Sequence, residues 1–241
     1  MKEVINDKAF KIFDSLPIIY TNEVKTYLEY LWNSFNCLEK QEDISRSFAI
    51  FPYYLLFILA IQYKVLRISK YYEDEYHLIT DQLKIGNDTK NLMNANIMKD
   101  EFPQGPKAFA VSYCKEKKIF EYLQIIQPSG ELCTEGKSFV EMRNNYAHAS
   151  GNIENEIDLR IEDYLYYLKR LQQVIDITLN EKTKKKLEKI AKDRGDSFQY
   201  NHLFSILLEL ECLTKEDFRN GPLNKFYWEN PFISEIVHID E

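Results

Sequence analysis

The sequence predicts an all-α protein, a helical bundle to about residue 180 with a smaller helical extension over 181–241. Three observations predict it. Apolar residues recur at steps of three and four along most of the chain, the period of helices that bury one face. Glycine and proline number only 7 each in 241 residues, too few for the turns of a sandwich, barrel or propeller. No alternation of strand and helix patterns is present, which excludes a nucleotide-binding α/β domain.

The elements follow in order. Val24, Leu28, Leu31, Phe35 and Leu38 line one face of a helix over 22–40, with Thr21 or Asn22 as its cap. Pro52 suits the first turn of a second helix that runs to about Tyr72. Ser47 to Tyr63 carries no charge, but the stretch is 17 residues long and contains Pro52, Gln62 and three tyrosines. A membrane span needs about 20 apolar residues, so this is expected to be a central helix buried on all sides. Residues 84–106, with Gly86, Pro103, Gly105 and Pro106, read as a loop or insertion. Helical pattern resumes from about Lys107 to Ile126 and breaks at Pro128-Ser129-Gly130. Another helix is expected from about Thr134 to His148, stopped at Ser150-Gly151. Ile157, Ile161, Leu165, Leu168, Leu171, Ile175 and Leu179 then mark the longest amphipathic stripe. A short helix over Leu203 to Leu213 and an aromatic tail, Phe226 to Phe232, complete the chain.

Charge narrows the function. The net charge of −7 excludes a uniformly basic nucleic-acid binder, so any such site must be a local patch. One exists: Glu181 to Arg194 holds seven basic and three acidic residues. Lys182, Lys184, Lys185, Lys186 and Lys189 are its candidate contacts to an RNA backbone, although lysines on a solvated helix face give the same pattern. The four cysteines, at 37, 114, 133 and 212, are too scattered for metal knuckles or a redox motif and are expected as reduced core residues. The charged N-terminus lacks an apolar signal core, and a soluble, cytoplasmic protein is expected.

Gly136-Lys137-Ser138 resembles the end of a phosphate-binding loop, but position 131 is Glu where the motif needs glycine, and no strand precedes it. The informative stretch is Arg143-Asn144-Asn145-Tyr146-Ala147-His148. Asn144 and His148, four apart, lie about 40° from each other on one helical face. Arg143 is long enough to bend toward the same edge. A helix C-terminus also favours a protonated imidazole, because its free carbonyls carry partial negative charge. A guanidinium, a titrating imidazole and an amide suit a phosphodiester: one stabilises charge, one moves a proton and one orients an oxygen.

The motif Arg143-Asn144-x3-His148, at a helix end before a long helix, resembles the HEPN superfamily, whose signature is Arg-x4-6-His, often with Asn after the Arg. The resemblance covers about 134–180 and implies a HEPN-type bundle over 1–180. Many members are metal-independent endoribonucleases of toxin–antitoxin and phage-defence systems. They act as homodimers with two motifs meeting in one composite site. The resemblance implies an RNA substrate, no metal and no cofactor, with an antitoxin or other regulatory protein as a further partner; no membrane is expected, on the shortness of the apolar run from Ser47 to Tyr63. His148 would be the general acid/base, Arg143 the transition-state stabiliser and Asn144 the positioning residue. A toxin subgroup carries Tyr two residues after the His; Ser150 stands there in this chain. The same residues fit two other readings, a non-catalytic module that grips a nucleotide or protein, and a histidine that only caps helix carbonyls. Phe139, Val140 and Tyr146 beside the motif suit either the core or a dimer interface.

Overall fold

The computed structural model describes residues 12–18, 22–42, 44–83, 115–147, 157–192, 210, 212–219, 221–230 and 233. Helices account for the named elements among them, so the fold is all-α, and the only pairing of extended backbone described is a single bridge between Pro17 and Thr214. The expected loop at 84–106, residues 107–114, and nearly all of the expected helix over 203–213 lie outside the described residues.

Helix α1, Asn22–Glu39, buries the predicted face: Val24, Leu28, Leu31 and Phe35 are core residues. Cys37 departs from expectation. It is exposed, because two residues beyond Phe35 the helix has turned it to the outer side, whereas Cys133 and Cys212 are buried free thiols. A 3-10 turn, Ile44–Ala49, leads into α2, Ile50–Tyr71, in which 18 of 22 residues are buried. The segment Ser45–Tyr71 is long and apolar enough to cross a membrane by length and composition, yet 83% of its most apolar window is packed inside the protein. It is the hub of the fold. Tyr72 breaks it, and α3, Glu73–Gln82, starts with three acidic residues that favour a helix N-terminus.

Helix α4, Glu116–Ile119, tightens into a 3-10 segment, Phe120–Ile125. Helix α5, Glu131–Ala147, starts three residues before the expected Thr134. Gly130 takes a positive φ of 74° ahead of it, and the Gln127 side-chain oxygen accepts the Leu132 N–H at 2.8 Å, capping the first turn. Gly136 is therefore mid-helix, in no phosphate loop, and packs so closely on the Phe120 ring that no Cβ would fit. Helix α6, Ile157–Thr178, is the long amphipathic helix, and α7, Asn180–Lys192, carries the lysines. Two short helices, α8, Lys215–Arg219, and α9, Pro222–Glu229, follow.

Two apolar cores result. The larger joins α1, α2, α5 and α6, with Phe57, Phe120, Phe139, Tyr164 and Tyr167 forming a continuous ring cluster at its centre. Phe139 and Val140 are thus core. The smaller packs Leu187 of α7 with Phe218, Leu223, Phe226 and Tyr227. The aromatic tail docks back through Phe226 and Tyr227, leaving Trp228 outside.

A buried polar node ties the two together. Arg67 of α2 is ion-paired with Asp217 of α8 and donates to Asn180 Oδ1 at 2.6 Å and Thr183 Oγ1 at 3.2 Å. Lys64 donates to Gln172 Oε1 at 2.6 Å, and Gln172 donates in turn to Asp217 Oδ1 at 2.6 Å. Nearby, Ser15 donates to Glu216 at 2.9 Å and Arg219 pairs with Asp14 at 2.5 Å. Low-polarity surroundings make every unmet group here costly, so the network specifies how the extension seats on the bundle.

Candidate functional site

Helix α5 brings Arg143 and Asn144 to its C-terminal end, as the spacing predicts. Its other face is held by the core residues Leu132, Phe139 and Val140. Lys117 of α4 reaches Glu141 at 2.7 Å, and Arg170 of α6 reaches Glu135 at 2.5 Å. These contacts clamp the helix on both flanks and set where Arg143 emerges.

Arg143 is half-buried and does not point freely into solvent. Its Nη2 is ion-paired with Glu116 of α4, and its guanidinium lies 5.2 Å from the centroid of the Tyr54 ring on α2. The Tyr54 hydroxyl donates to the same Glu116 oxygen, Oε2, at 2.9 Å. Arg143 Nε is buried and has no hydrogen-bond partner. Burial opposes the charge of Arg143, but the Glu116 carboxylate outweighs it and holds the guanidinium above its usual range. Burial, reinforced by Glu116, pushes the Tyr54 phenol far above its ordinary value, so Tyr54 stays a neutral donor. The result is a fixed cation on an aromatic floor with one side taken by a carboxylate. The donors that remain on such a fork match the oxygens of a carboxylate or of a phosphate.

Asn144 is partly exposed one position along and forms no hydrogen bond among the described residues. His148 lies outside the described residues, one position beyond the end of α5. His77, the histidine that is described, pairs instead with Glu73 at 3.6 Å on α3. Among the described residues no group of three or more His, Cys, Asp or Glu side chains is placed to hold a metal ion.

The lysines do not join this cluster. Lys182 Nζ sits 3.8 Å from the centroid of Tyr72, and Lys186 Nζ 5.6 Å from that of Tyr71, at the far end of α2. Lys184 pairs with Glu188 at 3.7 Å within α7, while Lys185 and Lys189 are exposed. Tyr54 and Tyr71 are 17 residues apart on α2, so the patch stands about 25 Å along the helix from Arg143.

Two residues of the site escape a reading of the sequence, Glu116 and Tyr54. Glu116 is embedded in Lys115-Glu116-Lys117-Lys118, which looks like any solvated run, and Tyr54 is one of many rings in an apolar helix. Only their meeting with Arg143 marks them. Compared with known proteins, the chain matches no family model, no curated protein and no solved structure.

Proposed function

We propose that the protein is a metal-independent endoribonuclease of HEPN type, acting as a cytoplasmic homodimer and serving as a toxin or effector in bacterial phage defence. The observation that supports it is the Arg143-Asn144-x3-His148 motif on an all-α scaffold, with Arg143 held as a half-exposed cation by Glu116 and Tyr54. In this reading the RNA 2′-OH attacks the adjacent phosphorus, the bond to the 5′ oxygen breaks, and a 2′,3′-cyclic phosphate and a 5′-hydroxyl result. One His148 takes the proton from the 2′-OH, and the His148 of the second protomer gives one to the leaving oxygen. Arg143 stabilises the charge that develops on the phosphoryl oxygens, and Asn144 orients one of them. The exposed lysines of α7 hold backbone phosphates away from the cut. An antitoxin or regulatory protein restrains the activity.

A non-catalytic binding module is the second reading. It is favoured by Glu116, which already occupies one side of Arg143. Cleavage of total RNA in EDTA separates the two. The native chain is expected to cleave, and His148→Ala to lose at least about 100-fold in rate, with unchanged melting temperature and dimer mass. No cleavage by the native chain at any concentration selects the binding module.

A further inference from the structure

Glu116 occupies Arg143 in a way that lets it leave. Among the described residues Arg143 has one ionic partner, this carboxylate, which meets the guanidinium through Nη2 alone. A carboxylate set to hold the fork for good would grip it by two parallel bonds. The two side chains are 26% and 27% exposed, so water and dissolved ions reach the pair.

Each partner keeps a second contact when the pair opens. The Tyr54 hydroxyl donates to Glu116 Oε2 at 2.9 Å, and that bond does not pass through Arg143. The released carboxylate therefore retains a donor. Arg143 stays in place as well, because its guanidinium rests 5.2 Å from the centroid of the Tyr54 ring and α5 is clamped at Glu141 and Glu135. Opening the pair costs one half-exposed ion pair and strands no charge. Arg67 is built the opposite way, since opening its pair would leave Asp217 charged in the core.

We infer that Glu116 is an exchangeable counter-ion, which occupies Arg143 in the resting protein and gives way to a backbone phosphate of RNA. The inference rests on the ribonuclease reading for the identity of that anion. A phosphodiester carries one negative charge, as the carboxylate does, so the exchange leaves the guanidinium neutralised. A free phosphate competes poorly with a carboxylate tethered to the same fold, because the tethered group acts at a high effective concentration. A polymer held at a second place, such as exposed Lys185 and Lys189 of α7, presents its phosphate on equal terms. Glu116 thus restrains the site against small anions and admits a chain.

The test uses the full-length His148→Ala protein, so that bound RNA is not consumed, and compares it with the same protein carrying Glu116→Gln. Glutamine keeps the length of the side chain and an acceptor oxygen for Tyr54 and Arg143, and removes the charge. Fluorescence anisotropy is read with a labelled single-stranded oligoribonucleotide, and binding of inorganic phosphate is followed by NMR. Glu116→Gln is expected to bind the oligomer about tenfold more tightly than its parent, and to bind phosphate more tightly as well. The gain should vanish once Arg143→Ala is added, which separates a freed guanidinium from a lower net charge. Tyr54→Phe keeps the ring but removes the hydroxyl that satisfies the released carboxylate, and is expected to weaken oligomer binding about threefold.

Oligomer binding by Glu116→Gln that only equals its parent's, or falls below it, overturns the inference and makes Glu116 a support that holds Arg143 in position. A gain that survives Arg143→Ala overturns it too. Should Glu116→Gln fail to fold, Tyr54→Phe decides, and binding at or above the parent's level overturns the inference. An Arg143-dependent gain in a protein whose native form never cleaves RNA leaves the counter-ion standing and removes the ribonuclease. Cleavage by the native chain without such a gain does the reverse.

Discussion

Two arginine–carboxylate pairs meet the central helix, one from within it and one beside it, and they differ in how far the outside can reach them. Arg67 is 1% exposed, pairs through Nη1 with an equally buried Asp217, and donates through Nη2 to Asn180 and Thr183. Arg143 is 26% exposed, pairs with one carboxylate, and lies over one ring. Each has a buried Nε without a partner, so that feature does not distinguish them. Access does. Among the described residues, nothing from outside can reach Arg67 without unfolding the node, whereas an anion can reach the exposed part of Arg143 by competing with Glu116.

The largest expected effect breaks the first pair. Arg67→Ala leaves Asp217 charged and buried, and is expected to cost about 3–5 kcal/mol in urea unfolding. If the loss is below about 1 kcal/mol, the node is not the clasp that seats the C-terminal extension. The same change at the second pair should act differently. Arg143→Ala removes a half-exposed ion pair worth about 1 kcal/mol in stability, yet, if the proposed ribonuclease activity holds, is expected to slow RNA cleavage by about 100-fold or more. Equal stability losses at the two sites would erase the contrast.

A smaller effect sharpens the comparison through pH. Burial raises the carboxyl groups of Asp176 and Glu216, next to the node. Burial also works against the charge of Asp217, but Arg67 and Lys64 outweigh it and hold that carboxyl below its usual range. The raised groups take up protons on folding, so they add stability as pH falls from neutral toward the unfolded carboxylate range. The depressed group adds stability that is present above its unfolded value and is lost as pH falls through its folded one. The melting temperature is therefore expected to rise from pH 7 to about pH 5 and to fall below about pH 4. A steady decline from pH 7 would show that the raised carboxyls contribute nothing.

Most of the helices were legible because their signal is local. The faces of α1 and α6, the burial of α2 and the end of α5 near residue 147 all follow from period and composition within one segment. The early start of α5 was less legible, since it depends on one capping side chain, Gln127. Arg143 and Asn144 were visible as residue types at a spacing. The ionic partner of Arg143 was not, because 27 residues separate it from Glu116 and charged neighbours of Glu116 mask it.

From the sequence alone came the all-α class, the central apolar helix and the motif at a helix end, since each rests on neighbours three, four or five positions apart. Tertiary structure alone decided which charges are buried and which are reachable. Arg67 meets Asp217 across 150 residues, and Arg143 meets Glu116 across 27. Periodicity says which face of a helix turns inward. It does not say what waits there, because a buried polar group is judged by partners that distant segments supply.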